Sequence, residues 1–576
     1  MNTASIRLLS HDGQRLELAP DPSLTLAQAI FLAGLWAGVP LCAGLGKCGL
    51  CRVRFASAPP QPGADEERRL GRAALDAGWR LSCLHPAAAC DIELPEPRRS
   101  GRPRQSSTPD SEESLARGVR SGAGPSGASA VPSDSSPAAS PDTSSTASFA
   151  ASPSTSTSGE LTLAVDLGTT SVHWSALGGG SALFGGQELN PQMGLGSEVM
   201  SRLSFAARPG GAQILRELML ERLRDLVRQA EAGGHGGSVA RLCVAGNSVM
   251  TYLLLGLPVP GLARAPYRLD YAGGDDQSLA PDLPETRIPP LLSPFVGADL
   301  SAGLAALAFG PEPPRHPYLL ADLGTNGEFV LALSPGEYLL ASVPMGPALE
   351  GVGLRHGRTA APGAVRAFAL TPAGLKPEYI DRPPLPGEDG GITGVGYLSL
   401  VAALLRAGVL DESGRFVVPA TPLGQRLAKG LSHGQPNAQG AQGEPTLDLG
   451  AGLFLPASDV EELVKVKAAF NLALSRLLAE ANLAPAALHS VHLAGAMGEH
   501  VNARDLATLG FLPEMLAERL VRAGNTSLKG AALLLNSADA WDWVRALPGK
   551  CRALDLTSDP GFGSLYVERM VLRHVA

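Results

Sequence analysis

At 576 residues, with 44% hydrophobic and 18% charged residues, the chain has the length and composition of a folded protein of three or four domains. Its 47 basic and 55 acidic residues give a formal net charge of -8 and form no basic stripe, which argues against nucleic acid as the main partner. Seven cysteines are too few for a disulfide framework, and the N-terminus lacks the basic start and apolar run of a signal peptide. We therefore predict a cytoplasmic protein with no membrane partner.

Residues 1–96 have the pattern of one small domain that is rich in short strands. Apolar segments at 6–9 and 16–18 flank an Asp-Gly dipeptide, which is typical of a β-hairpin turn. Ser23 is a candidate N-cap for the helix that follows. The further elements expected in this domain are a strand at 51–55, a polar helix at 65–75 and a strand at 90–94.

Four cysteines of this domain have a spacing that indicates a metal cluster. The pattern is Cys-x5-Cys-x2-Cys and then a fourth cysteine after 31 residues, which places the ligands at Cys42, Cys48, Cys51 and Cys83. Four thiolates hold either zinc or an iron–sulfur cluster, and zinc sites usually pair their cysteines as two Cys-x2-Cys knuckles. Only one such pair occurs here, and nearby glycines let backbone N–H groups approach sulfur, which favours a [2Fe-2S] cluster over zinc. The other cysteines are predicted to be small buried hydrophobes: Cys90, Cys243 and Cys551.

Residues 97–160 have a composition that predicts a disordered linker. Between Ser121 and Glu160, 35 of 40 residues are Ser, Ala, Pro, Gly or Thr, which leaves too little apolar area to offset the entropy of ordering. A flexible chain of about 60 residues spans roughly 45 Å on average. The linker therefore either lets the first domain swing between an electron donor and an acceptor or serves as a passive spacer.

The rest of the chain alternates apolar strands with helical segments, which predicts an α/β fold. Two short apolar runs, 161–165 and 318–321, each lead into an Asp-Leu-Gly-Thr turn, and this recurrence predicts two related lobes. We place the first lobe at 161–290 and the second at 291–576. A long amphipathic helix in the second lobe is predicted to begin at a Ser-x-x-Glu capping box.

An Asp-x-Gly-Thr turn after a strand has the parts of a clamp for nucleotide phosphates. The glycine lets the backbone approach a phosphate without a Cβ, the hydroxyl residues donate hydrogen bonds, and the aspartate can hold Mg²⁺ through water. One such turn is weak evidence, but two that each follow an apolar strand are much stronger. The candidate ATP-binding residues are Asp166, Gly168, Thr169, Thr170, Asp322, Gly324, Thr325 and Asn326.

The paired turns resemble those of the superfamily that includes actin, sugar kinases and heat-shock chaperones, whose two lobes close on ATP. The segment 491–498 then resembles that superfamily's adenosine-side strand and glycine turn, with Gly495 and Gly498 as candidate contacts. Glu328 and Glu350 are candidate catalytic carboxylates that orient water or assist the metal. The structural alternative for either glutamate is a helix cap or a surface position.

The whole chain except the linker resembles the reductive activators of corrinoid-dependent enzymes, called RACE proteins. The segments that carry the resemblance are 166–170, 190–192, 196–202, 246–250, 296–299, 322–328, 346–351 and the pair Gly524-Asn525. The resemblance implies an N-terminal β-grasp ferredoxin-like domain joined to a two-lobed actin-like (RNase H-like) ATPase core. It also implies ATP-dependent reduction of a Co(II) corrinoid to Co(I), with the four cysteines as electron relay and both aspartate turns binding phosphate or Mg²⁺.

The partners implied by this resemblance are a corrinoid protein or cobalamin-dependent methyltransferase and a low-potential electron donor. A second copy of the chain, in a homodimer, is a further candidate partner. Three other functions compete with this one: an ATP-driven activator of another low-potential enzyme, a small-molecule kinase, and a nucleotide-gated redox-sensing module. Activators of the first kind place their cluster at a subunit interface, whereas this chain has a separate cysteine domain. A small-molecule kinase would have no use for the cysteine domain. Departures from the family pattern occur at 342–345, 394–397 and 496–498.

Overall fold

The structure is a computed structural model, and it describes residues 5–36, 39, 41, 44, 46, 49–95, 160–233, 237–385, 390–433, 443–495, 500–556 and 559–575. Several predicted features lie outside these residues, namely Cys42, Cys48, Gly498 and the linker up to residue 159. Among the helices of the described segments, none is both long and apolar enough to cross a membrane.

The front domain, residues 5–95, is a small mixed sheet crossed by one helix. Its sheet has the strand order β2-β1-β7-β4-β5, with β1 and β7 parallel and the other neighbours antiparallel, which is the β-grasp arrangement of ferredoxins. Its elements are β1 (Ile6–Leu9), β2 (Arg15–Leu18), β3 (Asp21–Thr25), α1 (Leu26–Leu32), β4 (Arg52–Phe55), α2 (Ala64–Leu70), α3 (Arg72–Asp76), β5 (Trp79–Leu81), β6 (Pro86–Ala87) and β7 (Cys90–Glu93).

Two local predictions for this domain were wrong in detail. Helix α1 is capped by Thr25 and not by Ser23, because the side chains of Thr25 and Gln28 form a capping box with each other's backbone. The predicted polar helix at 65–75 is two short helices that meet at Gly71, whose φ of 75° interrupts the helical hydrogen bonds. The predicted hairpin at the start of the domain is confirmed.

The first lobe is built on a six-stranded sheet with the order β10-β9-β8-β11-β13-β12. Strands β8, β9 and β10 form an antiparallel meander, and β11 and β13 continue the sheet in parallel with β8. Its elements are β8 (Leu161–Leu167), β9 (Ser171–Gly178), β10 (Ser181–Leu189), α4 (Val199–Ala206), α5 (Gly211–Ala232), β11 (Val239–Gly246), α6 (Ser248–Leu255), α7 (Pro260–Ala263), β12 (Asp275–Gln277) and β13 (Glu285–Ile288).

The second lobe repeats this plan in a sheet with the order β24-β23-β14-β15-β16-β25. Its first part contains α8 (Ala298–Ala308), β14 (Tyr318–Leu323), β15 (Asn326–Ser334), β16 (Glu337–Pro344), β17 (Ala364–Thr371), β18 (Gly374–Tyr379), β19 (Gly391–Ile392), α9 (Gly394–Arg406), α10 (Pro422–Ala428) and β20 (Leu431–His433). Its second part contains β21 (Pro445–Gly450), β22 (Leu453–Pro456), α11 (Ala457–Glu480), β23 (Ser490–Gly495), α12 (Ala503–Leu509), α13 (Glu514–Ala517), β24 (Leu520–Gly524), α14 (Thr526–Asn536), α15 (Ala538–Arg545), β25 (Cys551–Ala553) and α16 (Phe562–Glu568).

The two lobes are therefore duplicated in topology, as the recurrent turns predicted. In each, an antiparallel meander of three strands has its first strand paired in parallel with a fourth, and a fifth follows that one in parallel. Helix α14 of the second lobe packs tightly on α8 and also contacts β8 and β11 of the first lobe. This is the actin-like fold that the sequence predicted, whereas the predicted domain boundaries after residues 96, 160 and 290 stay predictions.

The long helix α11 begins differently from the prediction. Its first helical residue is Ala457 after the N-cap Pro456, and no side chain caps this end, so the Ser-x-x-Glu capping box does not form. The predicted cap Ser458 instead lies within the helix, and its backbone N–H donates to the carboxylate of Glu444. The carboxylate of the next residue, Asp459, accepts hydrogen bonds from the Arg355 N–H at 2.8 Å and the Tyr397 hydroxyl at 3.2 Å.

Candidate functional site

The two Asp-Leu-Gly-Thr turns face each other across one cleft between the lobes. The first joins β8 to β9 and the second joins β14 to β15, so both lie at the tip of an antiparallel hairpin. The hydroxyl oxygens of Thr170 and Thr325 are 3.0 Å apart, although 155 positions separate the two residues. The fold therefore brings together two motifs that the sequence could only predict to be related.

A cavity of about 280 Å³ occupies this cleft. Every predicted ATP-binding or catalytic residue that the structure describes lines it, namely Asp166, Gly168, Thr169, Thr170, Asp322, Gly324, Thr325, Asn326, Glu328, Glu350 and Gly495. The predicted contact Gly498 lies outside the described residues.

Two glycines of the cleft have no room for a side chain. A Cβ on Gly168 would lie 2.5 Å from the carbonyl oxygen of Ser171, and one on Gly495 would collide with the carboxylate of Asp322. Gly495 also has a φ of 69°, a conformation that other residues rarely adopt. The backbone at both positions is thus kept bare next to the acidic groups of the cleft.

Buried carboxylates crowd the floor of the cleft and perturb one another. Burial, and next the charge of Asp166, raise the pKa of Asp299 to about 7. Burial and the charge of Asp299 raise the pKa of Asp322 and of Glu328 well above their usual values. Like charges in a site of low dielectric constant cannot all ionise unless a cation compensates them. The donor set therefore fits a hard divalent cation such as Mg²⁺, which prefers oxygen ligands.

Among the described residues, no three acidic, histidine or cysteine side chains converge closely enough to hold an ion by themselves. Mg²⁺ in proteins usually keeps several waters and binds one or two carboxylates together with substrate phosphates.

Glu350 and Glu328 have different surroundings. The Oε1 atom of Glu350 accepts hydrogen bonds from the backbone N–H of Thr325 at 2.7 Å and from its hydroxyl at 3.0 Å. Burial nevertheless raises the pKa of Glu350. Glu328 instead lies against Asp299, and its Oε2 has no hydrogen-bond partner within the described part of the chain. Oε2 of Glu350 likewise has no partner in that part of the chain, so each glutamate keeps one oxygen available, and Glu350 in addition orients the second turn through its Oε1.

Several polar residues of the cleft were absent from the predicted site. Asp166 accepts hydrogen bonds from Asn525 at 2.7 Å and from Ser527 at 2.8 Å, both at the start of α14. Asn247, at the start of α6, donates to the Thr169 hydroxyl at 3.0 Å. Both asparagines are also helix N-caps, so two helix N-termini point toward the turns. An asparagine directly before a helix in each of two family segments was the signal that could have found them.

Arg202 supports the first turn from behind. It is fully buried, and its guanidinium donates to the carbonyl oxygen of Thr169, to that of Gly196 at 2.9 Å and to Gln192 at 3.1 Å. Burial lowers its pKa to about 9, while the negative charge of Glu350 acts in the opposite direction. Because its hydrogen bonds go to backbone carbonyl groups and to Gln192, its role is to fix the backbone of the turn.

The segment with an unusual family pattern, 394–397, also borders the cleft. Gly394 and Val395 line the cavity at the N-terminus of α9, together with Arg358 and Thr359. A Cβ on Gly394 would collide with the backbone of Leu349, so the start of α9 packs directly on the segment that carries Glu350.

The described half of the cluster loop is closely packed. Cys51 and Cys83 are buried side by side with the front-domain core, and the Cys51 carbonyl oxygen accepts hydrogen bonds from the N–H of Ser82 at 3.0 Å and from its hydroxyl at 2.6 Å. Gly46 and Gly49 have φ values of 66° and 70°, which shows that this loop needs glycine to turn. The other two predicted ligands lie outside the described residues.

Of the remaining cysteines, Cys243 is buried as predicted, whereas Cys90 and Cys551 are only half-buried. Burial raises the pKa of Cys90 to about 11 and those of Cys243 and Cys551 to about 12. Their thiols therefore stay protonated at neutral pH, which makes them poor metal ligands.

A duplicated actin-like core with paired turns facing one cleft defines the class of ASKHA proteins, the superfamily of actin, sugar kinases and heat-shock chaperones. The family model described as the C-terminal domain of RACo, the ASKHA domain, matches residues 316–576, and that of the RACo middle region matches residues 161–310. The chain belongs to the family of reductive activators of corrinoid-dependent enzymes.

Individual relatives agree with this assignment. The chain is 27% identical over 422 residues to the corrinoid activation enzyme RamQ of Eubacterium limosum, over 70% of this chain and 69% of that protein. It is 28% identical over 415 residues to the Co(II) methylated amine-specific corrinoid protein reductase of Methanosarcina barkeri, over 65% of this chain and 69% of that protein. A solved structure titled reductive activator for corrinoid, iron–sulfur protein matches 99% of this chain and 98% of its own with a TM-score of 0.62, and at 22% identity it shows a shared fold.

Proposed function

We propose that the chain uses ATP to drive one electron from a [2Fe-2S] cluster to the Co(II) corrinoid of a partner protein and so regenerates Co(I). The observation that carries this proposal is the meeting of the two phosphate turns at Thr170 and Thr325 in a chain that also has a cysteine-bearing ferredoxin-like domain. The two relatives named above are called a corrinoid activation enzyme and a corrinoid protein reductase, which supports the same partner class here.

The cleft is proposed to bind ATP with Mg²⁺ between the lobes. The backbone N–H groups and hydroxyls of Thr169 and Thr170 are proposed as donors for phosphate oxygens, and the bare glycines permit close approach. Asp166 and Asp322 are proposed to bind water of a hydrated Mg²⁺, and the raised pKa values of Asp299 and Asp322 support a site that awaits positive charge.

The two glutamates are assigned different tasks in hydrolysis. Glu328, whose Oε2 has no partner among the described residues, is the candidate that orients the attacking water. Glu350 is assigned a positioning role, because its Oε1 accepts hydrogen bonds from both the N–H and the hydroxyl of Thr325 in the second turn. The geometry of phosphoryl transfer depends on such placement more than on covalent chemistry.

The front domain is proposed to carry the cluster on Cys42, Cys48, Cys51 and Cys83. The glycine-dependent turn of the loop and the burial of Cys51 and Cys83 support a cluster shielded from solvent. When bound, the cluster supplies a single electron at low potential.

The need for ATP follows from the energetics of the electron transfer. Co(I) is a very strong reductant, so electron transfer to Co(II) from a ferredoxin-type cluster runs uphill. A one-electron gap of about 120 mV corresponds to two decades in the equilibrium constant, or roughly 2.8 kcal/mol. Binding and hydrolysis of ATP in the cleft are proposed to offset this cost by favouring a complex in which the ligand field of the cobalt changes.

The test is spectroscopic and is done without oxygen. The purified chain is mixed with a Co(II) corrinoid protein and a low-potential reductant, and the Co(I) absorption is followed with and without ATP. We expect Co(I) only with ATP, and its loss in Cys83→Ala but not in the matched control Cys90→Ala, because Cys90 is not among the proposed ligands.

Two results would change the proposal. An intact cluster without ATP-dependent Co(I) for several corrinoid partners would favour a nucleotide-gated redox sensor or an activator of another low-potential enzyme. Zinc in place of iron and sulfide in the purified chain would remove the electron relay altogether.

A further inference from the structure

The front domain is seated on both lobes of the core at once. On the first lobe, the backbone of Gly194 lies directly under the ring of Phe31, with which any added Cβ would collide. Leu24 and Phe31 both pack against the buried cluster of that lobe that includes Leu195 and Val199. Apolar side chains from β3 and α1 thus complete a hydrophobic cluster that belongs to another domain.

The front domain also acts on the second lobe through a charge. The positive charge of Arg69, on α2, acts on Tyr397 and Asp459, which we define as the docking patch. Asp459 is 3% exposed, and its carboxylate is fixed by the Arg355 N–H and the Tyr397 hydroxyl. The positive charge of Arg69 therefore acts on a buried acidic group of the second lobe.

The polar part of this contact is incompletely satisfied. Nη2 of Arg69 is buried without a hydrogen-bond partner in the described residues, and so is Nη1 of Arg208, whose charge acts on Asp21 of the front domain. A buried donor without a partner weakens the association that buries it. The seating is accordingly suited to reversible release.

The docking patch is connected to the nucleotide cleft through short covalent and hydrogen-bonded paths. Val395 lines the cavity, and Tyr397 follows two residues later on the first turn of α9. Arg358 also lines the cavity, and three residues earlier the N–H of Arg355 is bonded to Asp459. A change at the cleft wall therefore reaches the docking patch over two residues on one path and over three residues and one hydrogen bond on the other.

The same arginine contacts the cluster loop. A Cβ on Gly49 would lie 3.5 Å from Cγ and Nε of Arg69, so this side chain lies against the loop two residues before Cys51. Arg69 thus contacts the loop and carries the charge that acts on Asp459.

We infer that the docked front domain is a resting state in which the core binds its own redox domain, and that nucleotide in the cleft releases it. Phosphates bound between the turns would replace the direct contact of Thr170 with Thr325 and so move the lobes relative to each other. This would also move apart the two surfaces, one on each lobe, on which the front domain docks. The nucleotide part rests on the proposed function, whereas the docking itself does not.

The experiment measures the radius of gyration of the full, cluster-loaded chain by small-angle X-ray scattering in line with size exclusion, so that particles of equal mass are compared. A compact chain of this length has a radius of gyration of about 25 Å. We expect an increase of about a fifth in Arg69→Glu, since the linker, which spans roughly 45 Å on average, lets a released front domain move away from the core. Asp459→Asn removes the charge without changing the shape and should give part of that increase.

The matched control is Arg72→Glu, because Arg72 is 82% exposed and forms an ion pair with Asp76 four residues later on its own helix. Its radius should equal that of the wild type. The cluster absorbance of each variant shows that the front domain is folded. Wild type and Arg69→Glu with the same radius would overturn the docking.

A non-hydrolysable ATP analogue with Mg²⁺ tests the release. We expect it to expand the wild type to the radius of Arg69→Glu and to leave that variant unchanged. ATP-dependent Co(I) formation without any nucleotide-dependent expansion would overturn this inference and leave the proposed function standing. Expansion without Co(I) formation would support the nucleotide-dependent release and overturn the proposed function.

Discussion

At the scale of single residues, Arg202 shows how a charge with no exposed surface can serve a binding site. Its guanidinium spreads hydrogen bonds over two backbone carbonyl groups and Gln192, a geometry that an ammonium group cannot reproduce. The residue lies in a family segment of the sequence, but nothing local predicted that it would reach Thr169, which lies 33 positions away.

We predict that Arg202→Lys weakens ATP binding. Leaving one buried carbonyl group of the turn without a donor costs about 1–3 kcal/mol, which corresponds to a loss of roughly tenfold or more in affinity. Titration calorimetry with ATP and Mg²⁺ measures this. The matched control is Arg216→Lys, which also removes bonds to two carbonyl groups, of Leu254 and Leu279, but away from the cleft. Equal affinities of the two variants would contradict the role of Arg202.

Asp459 gives a prediction about pH. Burial raises its pKa from 3.8 to about 6, against the effects of the Arg355 N–H, Arg69 and the Tyr397 hydroxyl. A carboxyl group with a raised pKa stabilises the fold below pH 4 and loses that contribution as pH rises through 6. Asp459→Asn keeps the hydrogen-bond acceptor and carries no charge. Its melting temperature should match that of the wild type near pH 4 and exceed it above pH 7. Above pH 7 the free energy of unfolding of the variant should be larger by up to about 3 kcal/mol.

Thermal melts of both proteins between pH 4 and pH 8 test this expectation. If the two curves of melting temperature against pH run parallel, the carboxylate of Asp459 is not perturbed in the folded state. If the variant is less stable at every pH, the ionised form is the favoured one.

At the scale of elements, the packing of α8 against α14 holds the core together beside the cleft. Gly530 of α14 lies so close to the backbone of Ala302 that an added Cβ would collide with its carbonyl group. Helix α14 also begins with the asparagine that bonds Asp166, so its position matters for the site.

We predict that Gly530→Ala destabilises the core by about 2–3 kcal/mol, the usual cost of overpacking, and lowers its melting temperature by several degrees. Gly549→Ala is the control, because no atom lies within 4 Å of its added Cβ. Calorimetry of both variants measures their melting temperatures. Equal values would show that α8 and α14 can move apart with little loss in the free energy of unfolding.

Helix ends mark the limit of local prediction at this scale. The sequence indicated that α1 and α11 exist, because their apolar residues recur with helical period, but it misplaced both starts. Thr25 and Ser23 are equally good caps by type, and only the path of β3 selects Thr25. At α11 the helix begins one residue before the predicted cap Ser458, whose backbone N–H donates to Glu444, 14 positions earlier.

At the scale of the whole molecule, the composition of residues 97–160 predicts that the front domain can swing. We expect deletion of residues 121–150 to slow Co(I) formation several-fold, because a shorter tether restricts the positions that the front domain can reach. ATP hydrolysis should be unchanged, since the cleft does not involve this segment. Stopped-flow absorbance of Co(I) provides the rate, and an unchanged rate would identify the linker as a passive spacer.

The sequence by itself determined the parts of this protein whose chemistry is local. The spacing of Cys42, Cys48, Cys51 and Cys83 and the two Asp-Leu-Gly-Thr turns each lie within short segments, so residue type and order were enough to predict a cluster loop and a phosphate clamp. The duplicated lobes followed because the same local pattern occurs twice.

Only the tertiary structure decided which residues act together. Asn525 and Ser527 bond Asp166 from 359 and 361 positions away, and Asp299 owes its raised pKa to burial and to Asp166. The seating of Arg69 near Asp459 joins domains that a long linker separates in the chain. Such contacts depend on the packing of distant elements, and hydrophobic period, spacing and capping rules contain no information about which distant partner a polar group will meet.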